Sequence, residues 1–112
     1  MNTQAFDTAK SLYKSGDWAG AVSALASVKG AGEVCGEADH LRGNALMKLG
    51  MFAEAAQAYG EALADASYGH VGALNCNRGR ALVASGNDAQ AEACFQAAVA
   101  DPSYPTPYKA YQ

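Results

Sequence analysis

One period runs through the chain. The segments Ser15-Gly16-Asp17-Trp18-Ala19-Gly20-Ala21, Leu49-Gly50-Met51-Phe52-Ala53-Glu54-Ala55 and Ser85-Gly86-Asn87-Asp88-Ala89-Gln90-Ala91 read alike, and their glycines fall 34 and then 36 residues apart. A fixed period of this length marks stacked supersecondary units, each burying the face of its neighbour. Each glycine closes one apolar pattern and precedes the next. That is the usual place for a helix stop, since glycine enters the left-handed conformation without a Cβ clash.

The flanks have helical spacing. Trp18, Ala21, Val22, Leu25 and Val28 follow the first turn; Phe52, Ala55, Ala56, Tyr59, Ala62 and Leu63 follow the second; Ala91, Cys94, Phe95, Ala98 and Val99 follow the third. Steps of three and four residues place each set on one helix face. The preceding segments carry Ala5, Ala9 and Leu12, then Ala38, Leu41, Ala45 and Leu49, then Leu74, Leu82 and Val83. Six helices in three antiparallel pairs are expected. Alanine, a strong helix former, is abundant and isoleucine is absent, which argues against a sheet. A second echo, Ala64-Asp65-Ala66-Ser67-Tyr68 against Ala100-Asp101-Pro102-Ser103-Tyr104, carries the period to the end. The expected organisation is a single domain over 1–112, with repeats at about 2–35, 36–71 and 72–105 and a tail at 106–112. That tail starts a partial fourth repeat or caps the third, with Pro107 suited to an early helical position.

A formal net charge of -3 lacks the basic footprint of nucleic-acid binding, so no nucleic acid is expected. No apolar run approaches the roughly 18 residues that span a bilayer, so no membrane is expected. Met1-Asn2-Thr3-Gln4 has no basic region or apolar core, so no signal peptide is expected. Cys35, Cys76 and Cys94 are odd in number and far apart, and are expected reduced in a cytoplasmic setting; a Cys76–Cys94 disulfide is the minor alternative. His40 and His70 have no Cys or carboxylate at metal-ligand spacing. Cys76 has no histidine partner indicated, and Gly30-Ala31-Gly32-Glu33-Val34-Cys35-Gly36 is a linker without the preceding strand of a phosphate loop. No enzyme, catalytic residue, metal or cofactor is therefore expected.

The spaced residues resemble the tetratricopeptide repeat. The second repeat matches at all six consensus positions, Gly43, Gly50, Phe52, Ala55, Tyr59 and Ala62. The first has Ala9, Gly16, Trp18, Ala21, Leu25 and Val28, and the third Gly79, Gly86, Asp88, Ala91, Phe95 and Ala98. Gly43 and Gly79 are read as points of close helix approach, with Tyr59 and Phe95 filling the space between pairs. Asp88 stands where an aromatic is usual; a capping role and a looser third pair are expected from it. The resemblance implies an all-α fold, an α-α superhelix of about three such helix-turn-helix repeats.

It also implies that the first helix of each pair lines a concave groove. The positions so implied are Thr3, Phe6, Lys10, Tyr13 and Lys14; Glu37, His40, Asn44, Met47 and Lys48; and Ala73, Cys76, Arg80, Val83 and Ala84, with Asn77 beside them. Of these, Phe6, Lys10, Tyr13, Lys14, His40, Asn44, Met47, Lys48, Asn77 and Arg80 are the expected partner-binding residues. Six of the eight basic residues (Lys10, Lys14, Arg42, Lys48, Arg78, Arg80) fall on first helices, while second helices carry Asp17, Glu54, Glu61 and Glu92. A positive inner wall would take an acidic or carboxylate-bearing peptide of a partner protein. The chaperone-adaptor branch of the family holds two carboxylates with Lys, Asn and Arg at five positions. Phe6, Lys10, Leu41, Ala73 and Asn77 stand there, so recognition of that kind is not expected. The alternative expectation is structural: a homo-oligomer or scaffold joined through Tyr104, Tyr108 and Tyr111 of the tail.

Overall fold

The computed structural model describes residues 1–30 and 32–101. Its helices are α1 (Thr3–Lys14), α2 (Trp18–Leu25), α3 (Gly36–Lys48), α4 (Phe52–Leu63), α5 (Val71–Ala84) and α6 (Asp88–Ala100), with no strand among the described residues. Consecutive helices pack on one another, and α1 also reaches α3, so three helical hairpins stack side by side. The tail 106–112 and the tyrosines Tyr104, Tyr108 and Tyr111 lie outside the described residues, as does the end of the third repeat beyond Asp101.

Three short turns join the hairpins internally. Gly16, Gly50 and Gly86 take φ of 87°, 77° and 89°, the left-handed region that closes a helix. Starts are set by different groups. Asn2 Oδ1 accepts from Ala5 N at 3.2 Å and Asp17 Oδ1 from Gly20 N at 2.8 Å, which caps α1 and α2. At α3 and α5 the capping residues Cys35 and His70 offer no side-chain bond. A carboxylate from across the hairpin serves instead: Asp65 Oδ2 accepts from Gly36 N, and Asp101 Oδ2 from Gly72 N, both at 2.7 Å. The aspartates of the echo thus tie the ends of α4 and α6 to the starts of α3 and α5.

The core is thin and alanine-lined. One cluster runs through α3 to α6 around Leu46, Tyr59, Leu74 and Leu82, and a second holds α1, α2 and α3 around Phe6, Ala9, Leu25, Val28 and Ala38. Aromatic side chains press on glycines where the two helices of one pair meet, so Tyr59 and Phe95 serve contacts within a pair as well as the expected space between pairs. A Cβ on Gly43 would stand 2.5 Å from the Tyr59 ring, one on Gly79 2.6 Å from the Phe95 ring, and one on Gly36 2.6 Å from Tyr68.

Three expectations need correction. The stripe read as helical through Val28 ends as helix at Leu25; Ala26 and Ser27 form a turn, and Val28 is buried from outside the helix, its carbonyl accepting from Asn2 N at 2.6 Å. Asp88 is the first residue of α6 and not its cap, a place taken by Asn87, which makes no side-chain capping bond. Nor is the third pair looser at its central contact, since Phe95 sits on Gly79 as closely as Tyr59 sits on Gly43. The aromatic missing at Asp88 lies at the start of α6, away from that contact.

Two glycine-to-alanine changes in helix interiors should have opposite signs. At Gly43 the methyl group meets the Tyr59 ring, and overpacking of this kind costs about 1–3 kcal/mol, exceeding the helix-propensity gain. At Gly60 the nearest atoms belong to the Arg78 guanidinium at 3.5 Å, an ordinary contact, so Gly60→Ala should gain up to about 1 kcal/mol. Urea unfolding followed by circular dichroism reads both; a stabilised Gly43→Ala protein would show that the ring is free to yield.

Candidate functional site

Two hollows lie on the face formed by the first helices, meeting at Asn44. The first, about 270 Å³, is lined by Phe6, Lys10, Glu37, His40, Leu41, Asn44 and Tyr68. The second, about 320 Å³, is lined by Tyr13, Asn44, Met47, Lys48, Tyr59, Asn77 and Arg80. They draw side chains from α1, α3 and α5, with Tyr59 of α4 showing through between them. Nine of the ten residues expected to face a partner line one or other hollow. Lys14, exposed in the last turn of α1, lines neither.

Aromatic rings and amides wire the floor together. Tyr59 is buried, and its hydroxyl donates to Asn44 Oδ1 at 2.7 Å. Burial pushes the Tyr59 phenol well above its ordinary pKa, so it stays a neutral donor. His40 Nδ1 lies 2.8 Å from the Tyr68 hydroxyl, and Asn77 Nδ2 is 3.5 Å from His40 Nε2. The imidazole tautomer sets which of the two groups donates in the His40–Tyr68 hydrogen bond. The Tyr59 and Tyr68 rings meet the His40 ring edge-on, with centroids 6.0 and 5.9 Å away. Neither tyrosine stood among the expected site residues. Tyr68 was legible as the last residue of the Asp-x-Ser-Tyr echo, and Tyr59 as a consensus aromatic, but both were read as structural.

The rim is cationic. Lys48 and Arg80 border the second hollow without a carboxylate partner among the described residues, and Lys48 Nζ lies 5.7 Å from the Trp18 ring. Lys10 Nζ sits 4.8 Å from the Phe6 ring and 3.4 Å from Asp7 Oδ1, an exposed and therefore weak pair. Glu37 is the acidic residue of the first hollow.

Other expected groove positions fall elsewhere. Phe6 is 3% exposed and belongs to the core of the first pair, only its edge reaching the hollow. Cys76 is buried against Ala98 and Phe95. Arg42 and Arg78 leave the inner wall altogether. Arg42 lines a cleft of about 530 Å³ on the opposite flank, bridged to Glu61 and 3.5 Å from Asp39, which also receives Lys29 at 2.8 Å. Arg78 lies over Gly60 of α4. The inner wall is thus less positive than the count along the first helices suggests.

All three cysteines are free. No group of three or more His, Cys, Asp or Glu side chains able to hold a metal occurs among the described residues, and no helix there is long and apolar enough to cross a membrane.

Burial lowers the pKa of His40, with His70 adding repulsion. An unfolded histidine titrates near 6.5. Between that value and the lower folded one, the unfolded chain binds the additional proton, so stability is full above about pH 6.5 and declines as pH falls. The urea midpoint should therefore drop between pH 7.5 and 5.5, and His40→Gln should flatten that slope. An unchanged slope in the variant would place its origin elsewhere.

A family model described as a tetratricopeptide repeat matches residues 6–70 and, overlapping them, 40–105. No curated protein and no solved structure matches the chain.

Proposed function

The chain belongs to the tetratricopeptide-repeat family, whose repeats mediate protein–protein interaction, and we propose that it holds an extended, carboxylate-bearing peptide segment of a partner protein across the two joined hollows. The observation that carries this reading is the second hollow. Lys48 and Arg80 line it without a carboxylate partner among the described residues, together with Asn44 and Asn77, and Tyr13 and Met47 supply apolar contact. Cations without internal carboxylates can steer and hold an anion, and the amide groups can bond an extended backbone that has no internal partners. The first hollow, with Glu37 facing Lys10, suits the less acidic part of such a segment. The protein acts here as a binding module and not as an enzyme.

Capture from source-cell lysate tests the reading, using the protein and its Lys10→Glu/Arg80→Glu double variant with matched circular dichroism spectra. Proteins retained by the first and lost by the second are the expected result. Peptides tiled across such a protein should bind through an acidic segment and weaken by about tenfold or more in the variant, as for loss of interface charges. An identical retained set from both proteins would remove the groove from consideration.

A further inference from the structure

The flank opposite the hollows carries a charge that its own repeat leaves unanswered. Arg42 and Arg78 stand one repeat apart on first helices, each lying over the second helix of the preceding or own pair. Arg42 is bracketed by Asp39 from its own helix and by Glu61 from α4. One repeat on, the corresponding residues are Asn75 and Ala97. Asn75 turns its amide back to the Val71 carbonyl at 3.1 Å. Ala97, exposed on α6, has nothing to offer.

Arg78 consequently makes no ion pair among the described residues, and its Nε is buried without a hydrogen-bond partner. A guanidinium N–H removed from water and left unpaired is unfavourable. The side chain is held in place all the same. Its Nε, Cζ and Nη2 lie 3.5 to 3.6 Å from where a Gly60 Cβ would stand. From the other side its charge acts on the Cys94 thiol of α6, opposing the rise in pKa that burial causes. Arg78 of α5 therefore lies along a furrow beside Gly60 of α4, and the α6 residue one repeat on from Glu61 is the small, exposed Ala97.

We propose that this furrow is a second binding site, where Arg78 receives a carboxylate from an acidic segment of a partner protein, in the place that Glu61 fills for Arg42. The short side chain at Ala97 leaves the place of Glu61 to a partner, and the planar guanidinium fits a carboxylate. The site is independent of the two hollows: it lies on the other flank and uses none of their residues.

The side-chain Nε–Hε signals of the three arginines in the 15N-labelled protein report on it directly. The probe is a blocked Ala-Glu-Ala-Ala-Glu-Ala peptide, with its glutamine counterpart as control. The Arg78 signal should shift saturably with the glutamate peptide, about fivefold more weakly with the glutamine one, as for the loss of one ion pair. Ala97→Glu, which rebuilds the internal carboxylate, should remove the response; Asn75→Asp does so by the Asp39 route should that variant fail to fold. Arg80 provides the internal comparison, since binding in the hollows moves its signal and leaves Arg78 untouched. The proposal is overturned by an Arg78 signal that stays fixed, that moves equally in the Ala97→Glu protein or with sodium chloride alone, or that saturates first with inorganic phosphate.

Discussion

The spacing of the helices rests on aromatic rings lying on glycines. Tyr59 on Gly43 and Phe95 on Gly79 bring the second helix of the second and third pairs to its first more closely than a side chain at the glycine would allow. Tyr68 does the same at Gly36, at the start of α3. Alanines at 0–1% exposure (Ala9, Ala21, Ala45, Ala55, Ala58, Ala62, Ala81, Ala91 and Ala98) fill the remaining contacts, so little volume separates the backbones. An interior packed this way has few rotamers to adjust and tolerates added volume poorly. The same rings reach the functional face. Tyr59 is both the packing residue of the second pair and the floor of the second hollow, where its hydroxyl fixes Asn44. Geometry that holds the repeat together therefore positions the polar groups a partner would meet.

Polar groups at helix starts follow a related economy. Neither Cys35 nor His70 can cap the helix it precedes, and each task passes to an aspartate at the far end of the same hairpin. Asp65 also accepts from the Ser67 backbone N–H and hydroxyl, at 3.1 and 2.6 Å, and these bonds hold its carboxyl below the usual carboxylate range. The turn they stabilise delivers Tyr68 to Gly36 and to His40. One short sequence element thus closes the hairpin, caps a helix and supplies a hydroxyl to the floor of the first hollow.

Much of this was legible in the sequence because it depends on residue type at fixed spacing. The turn glycines, the small-on-aromatic pairs and the count of helices follow from positions that only a few residue types can fill. Direction is what spacing alone failed to give. Arg42 and Arg78 share first helices with Lys48 and Arg80, but a helix presents several faces, and their side chains leave the inner wall, Arg42 toward Glu61 and Arg78 over Gly60. Phe6 and Cys76 fall at one repeat position with His40, and the first two are buried while the third is half-buried. Their neighbours decide this: Phe6 fills the space between Leu25, Val28 and Ala38, and Cys76 that beside Ala98. The early end of α2 was likewise hidden, since Val28 keeps its place in the core without being helical.

The two hydrophobic clusters give the inner face a mechanical meaning. α1 and α2 are seated on α3 mainly through the Phe6–Leu25–Val28 cluster, while α3 to α6 share the larger one. With α2 a turn shorter than its counterparts, the first pair brings less surface to the stack. Both hollows bridge this division: Phe6 and Lys10 face His40 and Leu41 across the first, and Tyr13 faces Asn77 and Arg80 across the second. A segment lying in both would bind only where α1 is docked against α3. Its binding free energy would then stabilise that junction by linkage, with the least tightly held pair gaining the most.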